Sequence, residues 1–380
     1  MSFASLGLSA PLVISIAAQQ YEKPYPVQQQ AIPAILKGRD VLGIAQTGSG
    51  KTAGFVLPIL ELFQKTEPSR NRFVKALILV PTRELAAQVK DVVHTFSADL
   101  PRKVKTLAVY GGVSINPQMK QLQGTDVLVA TPGRLLDLVE SKAVHLSQVE
   151  VLVLDEADKM LNLGFKEEMD KIFSLLPAKR QSILFSATLS TDVQSINERL
   201  LHNPVIVQIE AESISPEQIN QVAYNIAPEK KGPFLRYLIK QGDWQQVLVF
   251  VSSTRTADNV ADKLSKNGIQ AAAMHSKKSQ GARTDALQKF KAGKLRVLVA
   301  TDLASRGIDI DQLSHVVNYD LPRSPKDYIH RIGRTGRAGA TGEAISLITP
   351  EDQHHFKIIQ KKMGKRVEIK ETESINLAGH

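Results

Sequence analysis

Residues 45–52 have the composition of a phosphate-binding loop. The segment reads AQTGSGKT, and it lies between the short apolar run 41–44 and a helical run that starts at Ala53. Glycines let backbone N–H groups turn toward phosphate oxygens, and a helix N-terminus adds its positive dipole. This strand, loop and helix predict a P-loop, with Ala45 where the first glycine is usual. The predicted nucleotide ligands are Gln46, Thr47, Gly48, Ser49, Gly50, Lys51 and Thr52.

A second group of candidate residues follows the apolar run 151–154, which ends in Asp155-Glu156-Ala157-Asp158. Carboxylates at the C-terminal end of a parallel strand face the crevice where ligands bind. Together with the Thr52 hydroxyl, Asp155 can ligate Mg²⁺, and Glu156 can polarise a water for attack on a terminal phosphate. A solvated acidic turn would explain neither the apolar strand nor its pairing with a P-loop. The spacing therefore predicts Mg²⁺-dependent ATP hydrolysis with Lys51, Asp155 and Glu156.

A third candidate is the segment HRIGRTGR at 330–337, with arginines at intervals of three. Arginine makes rigid bidentate contacts with phosphate oxygens. Arg334 and Arg337 are therefore predicted to stabilise the transition state from the second half of the chain, as arginine fingers do in phosphoryl transfer. A basic surface helix is the alternative, and the glycines argue against it.

Several continuous apolar runs alternate with helical stretches in both halves of the chain. Continuous runs are typical of strands buried on both faces of a parallel sheet. The predicted fold class is α/β, with two tandem domains that each contain a mostly parallel sheet flanked by helices. The polar segment around Pro216 predicts a linker. The predicted boundaries are 1–208 for the first domain, 209–218 for the linker, 219–363 for the second domain and 364–380 for a polar tail.

Composition and charge narrow the class of protein. The chain has 380 residues, 43% of them hydrophobic, and no cysteine, which excludes disulfides and thiolate metal sites. The start of the sequence is a poor signal peptide, and no apolar run is long enough to span a bilayer, so a soluble, cytoplasmic protein without membrane contacts is expected. Residues 1–210 hold 22 lysines and arginines against 20 acidic residues, and 211–380 hold 26 against 18. This excess of +8 in the second half is compatible with either an RNA-binding or a solubilising surface.

Taken together, the motifs resemble those of the DEAD-box family of RNA helicases from residue 3 to about 350. Beyond the three segments above, the resemblance includes PTRELAAQ (81–88), TPGR (131–134), SAT (186–188) and ATDLASRGIDI (300–310). The stretch SQGARTDAL (279–287) looks most like the bacterial RhlE-type branch. The resemblance implies two RecA-like domains.

The resemblance also implies roles for residues around ATP. Gln28 would read the adenine edge, Tyr21 would stack on the ring, Phe3 would be the isolated upstream aromatic, and Asp309 would contact the ribose. A glutamine amide can satisfy both a donor and an acceptor on adenine. Ser186, Thr188, Asp302 and His330 would couple hydrolysis to contacts between the domains.

RNA contacts are implied on both domains. Arginines, hydroxyls and glycines suit recognition of the nucleic-acid backbone rather than of base edges, so low sequence specificity is expected. The implied contacts are Arg83, Gly112, Thr131, Gly133 and Arg134 in the first domain, and Gln280, Arg283 and Thr301 in the second.

The sequence thus predicts an RNA-dependent ATPase that binds single-stranded RNA across two domains and locally unwinds short duplexes. An ATP-gated RNA clamp or assembly factor is an alternative with the same motifs. A DNA translocase and an ATPase without a nucleic-acid substrate also remain open. A monomer is expected, with ribosome-assembly or RNA-degradation proteins as candidate partners.

Overall fold

Short runs of buried aliphatic residues form the central strands of two β-sheets. The structure, a computed structural model, describes residues 1–45, 48–209, 219–305, 313–335, 342–373 and 375–377. The chain divides into two compact units, Met1–Ala211 and Glu212–His380, and each contains one sheet. Of the predicted linker at 209–218, only Ile209 belongs to the described residues.

The first unit begins with a 3-10 helix (Ala4–Leu6) and contains a seven-stranded sheet flanked by helices. Its strands are β1 (Val41–Ile44), β2 (Ala76–Leu79), β3 (Thr106–Val109), β4 (Val127–Ala130), β5 (Val151–Leu154), β6 (Gln181–Ser186) and β7 (Val205–Gln208). Its helices are α1 (Ala10–Ala18), α2 (Pro26–Leu36), α3 (Lys51–Phe63), α4 (Arg83–Ser97), α5 (Ile115–Gln121), α6 (Pro132–Glu140), α7 (Ala157–Asn162), α8 (Lys166–Ser174) and α9 (Thr191–Leu200).

The second unit repeats this plan, with 3-10 turns at Pro228–Lys230 and Pro350–Asp352. Its strands are β8 (Ile219–Asn225), β9 (Val247–Val251), β10 (Ala271–Met274), β11 (Val297–Thr301), β12 (His315–Asn318), β13 (Gly342–Ile348) and β14 (Glu368–Glu371). Its helices are α10 (Lys231–Gln241), α11 (Thr254–Lys266), α12 (Gln280–Lys291), α13 (Asp302–Ser305), α14 (Pro325–Ile332) and α15 (Gln353–Met363).

Every strand pairing between these elements is parallel. The order is β3-β4-β2-β5-β6-β1-β7 in the first sheet and β10-β11-β9-β12-β13-β8-β14 in the second. The predicted α/β class with parallel sheets is therefore confirmed. Residues 364–380 were predicted to be a polar tail, but Glu368–Glu371 pair with β8 and extend the second sheet.

The core of the first unit has two layers because side chains alternate across each strand. Val151 and Val153 belong to one buried cluster, with residues of α3 and α4. Leu152 and Leu154 belong to the other, with residues of α6 and α8. Full burial of each such aliphatic side chain contributes about 1.5–3 kcal/mol. The sheet is thus a rigid base for the loops at its edges.

Parallel pairing brings the carboxyl ends of all strands to one edge of each sheet, where α/β proteins bind ligands. In the first unit, the predicted phosphate and Mg²⁺ ligands follow β1 and β5, the predicted coupling residues Ser186 and Thr188 lie at the end of β6, and the predicted RNA residues follow β2, β3 and β4. These two sets of strands occupy adjacent parts of the sheet. The topology therefore places the two sets of motifs side by side on one edge.

Candidate functional site: an ATP and RNA edge

The P-loop is built on a glycine that no other residue could replace without strain. Gly50 precedes the first residue of α3, with a φ of 84°. A Cβ atom at Gly50 would lie 2.6 Å from Gln28 Nε2 and 2.9 Å from Tyr25 Cδ2. Glycine therefore allows α2 to pack closely against the loop that precedes the N-terminus of α3, where a phosphate would bind. Two predicted ligands, Gln46 and Thr47, lie outside the described residues.

Lys51, the predicted phosphate ligand, is buried at the start of α3. Its Nζ atom donates a hydrogen bond of 2.9 Å to the carbonyl oxygen of Ala45, across the loop. The ammonium group is therefore held inside the loop, and it keeps further N–H donors for a phosphate oxygen. Thr52 is half-buried in the next position.

Gln28 links the start of α2 to the P-loop. Its side chain is fully buried, its Oε1 accepts from the backbone N–H of Tyr25 at 2.9 Å, and its Nε2 donates to the Gly50 carbonyl at 3.0 Å. An amide keeps a second N–H and a second lone pair after two such bonds, so recognition of adenine remains chemically feasible. Besides that predicted role, Gln28 fixes the P-loop.

The adenine-stacking role of Tyr21 stays a prediction. The tyrosine is 37% exposed, and its ring contacts Phe96 edge-to-face with centroids 5.5 Å apart. Phe3 is buried in the core of the first unit. The predicted ribose ligand Asp309 lies outside the described residues.

The predicted catalytic carboxylates lie directly after β5. Asp155 and Glu156 are both buried, and Glu156 takes a left-handed conformation with a φ of 57° at the start of α7. Non-glycine residues rarely adopt this conformation, and such strain is concentrated at functional sites. Glu156 Oε1 accepts from Lys159 Nζ at 2.5 Å. Burial raises the pKa of Asp155; nearby Lys51 opposes this shift, and Glu156 reinforces it.

The residues present fit a magnesium ion. The Oδ1 atom of Asp155 is buried and accepts no hydrogen bond from the residues that the structure describes. A buried, unsatisfied carboxylate oxygen is costly, and a divalent cation would satisfy it. Within the same residues, no group of three or more histidine or acidic side chains could hold a metal. Proteins commonly hold Mg²⁺ by one or two carboxylates together with substrate phosphates and water.

A hydrogen-bonded chain joins the acidic motif to the end of β6. Thr188 Oγ1 donates to Asp158 Oδ2 at 3.1 Å, and Ser186 Oγ donates to the Thr188 carbonyl at 2.8 Å. Ser186 and Thr188 were predicted to couple hydrolysis to the second domain. In the first unit, these bonds place the 186–188 segment against the acidic motif.

The predicted RNA residues of the first unit converge on the turn at 110–114. Gly112 has a φ of 74°, and a Cβ atom there would lie 2.3–2.4 Å from the guanidinium of Arg83. Arg83 therefore lies directly against the glycine backbone. The turn is held from beneath by Gln118, which accepts from the N–H of Tyr110 at 3.0 Å and donates to the carbonyls of Tyr110 and Ser114 at 3.2 Å.

Arg134 supports the same turn. Its Nη2 donates to the Val113 carbonyl at 2.9 Å, and its Nε donates to Asp137 at 3.2 Å, with the side chain largely buried. Thr131, also buried, precedes α6, and Gly133 has open space around its Cα. Arg83 and Arg134 thus contact the turn that contains Gly112, while Thr131 and Gly133 lie at the start of α6.

In the second unit, the predicted RNA residues lie at the ends of β10 and β11. Gln280 and Arg283 lie in the first turn of α12, and Arg283 is buried. The Oε1 atom of Gln280 is buried without a hydrogen-bond donor among the described residues, and its contact with RNA stays a prediction. Thr301, half-buried, ends β11.

Arg331, the first arginine of the 330–337 segment, is a structural residue. Its Nε and Nη2 donate to the two oxygens of Asp302 at 2.6 and 2.7 Å, and its Nη1 donates to the Asp320 carbonyl at 2.6 Å. Asp302, predicted to organise contacts between domains, is therefore held by Arg331 within the second unit. Arg334 is buried directly after α14, and His330 is exposed near the end of that helix. Arg337 lies outside the described residues.

We expect Arg331→Ala to lower the free energy of unfolding of the second unit by about 3 kcal/mol, because removal of one partner of a buried ion pair leaves the other uncompensated. This figure is the low end of the usual range, since the Asp302 side chain is 33% exposed. Urea unfolding would measure the change. Arg331→Lys keeps the charge without the bidentate geometry, and it should recover only part of the loss. An unchanged urea midpoint for Arg331→Ala would contradict this role.

Sequence reasoning missed two residues of the site, Gln118 and Lys159. Neither belongs to a segment with a recognisable phosphate or RNA pattern, and their partners are a backbone turn and a carboxylate that only the fold identifies. Lys159 carried one weak signal, since a lysine three residues after a glutamate on a helix can form an ion pair.

Comparisons with known protein families cover most of the chain. The sequence profile described as DEAD/DEAH box helicase matches residues 25–196, and that described as helicase conserved C-terminal domain matches residues 230–339. The chain is 40% identical over 367 residues to the ATP-dependent RNA helicase CshA of Listeria monocytogenes, covering 96% of this chain and 69% of the relative. It is 41% identical over 363 residues to the ATP-dependent RNA helicase RhlB of Pseudomonas syringae, covering 92% and 90%.

Solved structures give the same result. The chain resembles Saccharomyces cerevisiae Dbp5 bound to RNA and ADP BeF3, with a TM-score of 0.83 and 31% identity over 98% of this chain and 96% of that one. This likeness confirms the predicted fold class of two tandem RecA-like domains. In the described part of the chain, no helix has the length and apolarity needed to cross a bilayer.

Proposed function

Since the chain belongs to the DEAD-box family of ATP-dependent RNA helicases, we propose that it hydrolyses ATP in response to bound RNA and separates short RNA duplexes. One observation carries this proposal. A single edge of the first sheet presents a phosphate loop with two buried carboxylates and, on the neighbouring strands, a glycine turn covered by Arg83. One rigid sheet edge can thus hold nucleotide and RNA in fixed relation.

In this proposal, the chain's own groups position ATP and prepare the attacking water. Lys51 and the N-terminus of α3 bind the outer phosphates, and Glu156 orients a water and accepts its proton. Mg²⁺, held through Asp155 and Thr52, would neutralise charge on the phosphates. Burial of both carboxylates strengthens these electrostatic interactions because little solvent screens them.

Arg334 and Arg337 are proposed to supply the cations that stabilise the transition state, so hydrolysis would require both units to act together. The hydrogen bond that Thr188 donates to Asp158 joins the acidic motif to a segment proposed to contact the second unit. A change in that contact could therefore alter the nucleotide site. RNA and ATP would then each favour the same state, in which both units contribute to the site. Their affinities would therefore be coupled.

Several finer assignments are also proposals. The RhlE-type branch rests on the stretch SQGARTDAL at 279–287 alone. Domain boundaries at 208 and 218, a monomeric state, a cytoplasmic location and partners in ribosome assembly or RNA degradation are proposed on the strength of the sequence.

The first test is ATP hydrolysis with and without single-stranded RNA, together with displacement of a strand from a short duplex that carries a single-stranded flank. We expect RNA to stimulate hydrolysis, DNA of the same sequence to stimulate it less, and the strand to be displaced only with ATP. Lys51→Ala is the control that should lose both activities. RNA-stimulated hydrolysis without displacement would favour the RNA clamp, and hydrolysis indifferent to RNA would refute the proposal.

A further inference from the structure

Helix α15 and the turn after it carry a concentrated positive charge that the ATP and RNA motifs do not use. Residues 353–366 contain five lysines and arginines and no acidic residue. We call the five the α15 basic surface: Lys357, Lys361, Lys362, Lys365 and Arg366. All except the half-buried Lys365 are exposed, and the opposite face of α15 is anchored in the core by Phe356, Ile359 and Met363. The charge is therefore displayed on a fixed support.

The surface is concave. Lys357, Gln360, Lys361, Gly364, Lys365 and Arg366 line a shallow, solvent-open depression of about 320 Å³. The backbone there is set by the left-handed Gly364 that ends α15, by Lys365 Nζ donating to the Ile219 carbonyl at 3.1 Å, and by Val367 N–H donating to Gln360 at 2.8 Å. Its lining residues are lysine, arginine, glutamine and glycine, and the charged ends of the lysines and the arginine can reach an anion outside the depression while their aliphatic stems form its walls.

Helix stability does not explain this charge. Lysines in the last turn of a helix interact favourably with its dipole, which would account for Lys361 and Lys362. Lys357 lies earlier, one turn before Lys361, and like charges at this spacing repel each other. Arg366 lies beyond the helix. Of the acidic residues nearest in sequence, Asp352 accepts from Thr349 and lies 3.8 Å from Lys231, Glu368 pairs with Lys370, and Glu351 is exposed before the helix. The excess therefore points outward.

The α15 basic surface lies far from the RNA motifs of its own unit. α15 packs with residues of β8 and β13, beside the edge strand β14, whereas α12 and Thr301 lie at β10 and β11, the other edge. Three to four spacings of about 4.8 Å separate β11, which carries Thr301, from β13 and β8, on which α15 packs, or roughly 14–19 Å across the sheet. Moreover, Lys365 contacts the first residue of β8, at the amino edge of the sheet rather than the carboxyl edge.

We propose that the α15 basic surface is a second RNA site, which binds the phosphate backbone of RNA outside the segment held at the carboxyl edge. This inference rests on the proposed function, because it assumes that RNA is the ligand. The surface adds affinity without reading sequence, as expected for lysine contacts to phosphate. It would retain a long or structured RNA while the motif site releases and rebinds its own segment.

The test compares short and long RNA on the triple variant K357Q/K361Q/R366Q. For a strand of ~10 nucleotides, which fills the motif site alone, we expect unchanged affinity. For a strand of ~40 nucleotides, we expect roughly tenfold weaker binding, and a slope of log affinity against log salt that is smaller by about 2, at ~0.7 per lost phosphate contact. The turnover number for ATP hydrolysis at saturating RNA should stay unchanged.

The matched control is K263Q/K266Q/K294Q, which removes the same charge from three exposed lysines elsewhere in the unit. An equal loss of long-RNA affinity in the control would mean that net charge, rather than the α15 basic surface, causes the effect, and this would overturn the proposal. Unchanged affinity of the triple variant for the long RNA would overturn the proposal. An acidic protein would then be the next candidate ligand for this surface. An equal loss on the short RNA would also overturn it. Failure of the proposed function is distinguishable, because the unmodified protein would then show no RNA-stimulated hydrolysis.

Discussion

Replacing Glu156 with glutamine is expected to lower the turnover number for ATP hydrolysis by about 10²–10⁴-fold, the usual contribution of a positioned general base. Glutamine keeps the Oε1 atom that accepts from Lys159, so the side chain can remain in place, but its amide cannot accept a proton from water. Nucleotide affinity should change little, because Lys51 and the N-terminus of α3 are intact. The variant should therefore accumulate bound to both ATP and RNA.

Single-turnover hydrolysis and RNA dissociation rates measure this prediction. Glu167→Gln is the matched control, since it makes the same chemical change at an exposed glutamate of α8, and it should behave like the unmodified protein. Turnover of Glu156→Gln within a few-fold of normal would remove Glu156 from the chemistry.

The second large effect concerns Arg334. Arg334→Ala is expected to lower RNA-stimulated hydrolysis by about 10³–10⁵-fold, as the loss of an arginine finger does in phosphoryl transfer generally. Binding of nucleotide should persist, because the P-loop belongs to the first unit. Arg334→Lys keeps the positive charge but lacks the planar guanidinium, and it should recover little of the rate.

Because Arg334 is buried, its substitution could also impair folding, so the stability of each variant is measured together with its rate of ATP hydrolysis. Urea unfolding of Arg334→Ala separates a loss of hydrolysis from a loss of stability, which is the main effect expected for Arg331→Ala. Arg323, an exposed arginine of the same unit, gives the control Arg323→Ala. Hydrolysis by Arg334→Ala close to the normal rate would show that this arginine is not the required cation.

The sequence predicted the central strands well, because burial on both faces leaves a plain signal. The apolar runs 41–44 and 151–154 coincide with β1 and β5. Strands β8, β10 and β14 of the second sheet gave no such signal. β8 (INQVAYN) contains no continuous apolar run of four residues, β10 is mostly alanine, and all four residues of β14 are exposed. Their pairing is decided by neighbours distant in the chain.

The candidate site also contains some residues that the sequence predicted and others that only the fold revealed. Residue type and spacing predicted Lys51, Asp155 and Glu156 as site residues, and the fold places them after β1 and β5 at one edge of the sheet. Arginines were harder to assign, because a guanidinium serves catalysis, RNA and packing equally well. Arg331 and Arg134 bind carboxylate and carbonyl groups inside their own units, which only the folded partners reveal. Gln118 escaped detection for the same reason, since its three partners are backbone atoms of a turn.

The most direct test of the account is the coupling between ATP binding and RNA binding. It is measured as the affinity for a non-hydrolysable ATP analogue with and without single-stranded RNA. We predict that saturating RNA tightens analogue binding by about 5–150-fold, and that saturating analogue tightens RNA binding by the same factor. Equal analogue affinity in the presence and absence of RNA would contradict the account.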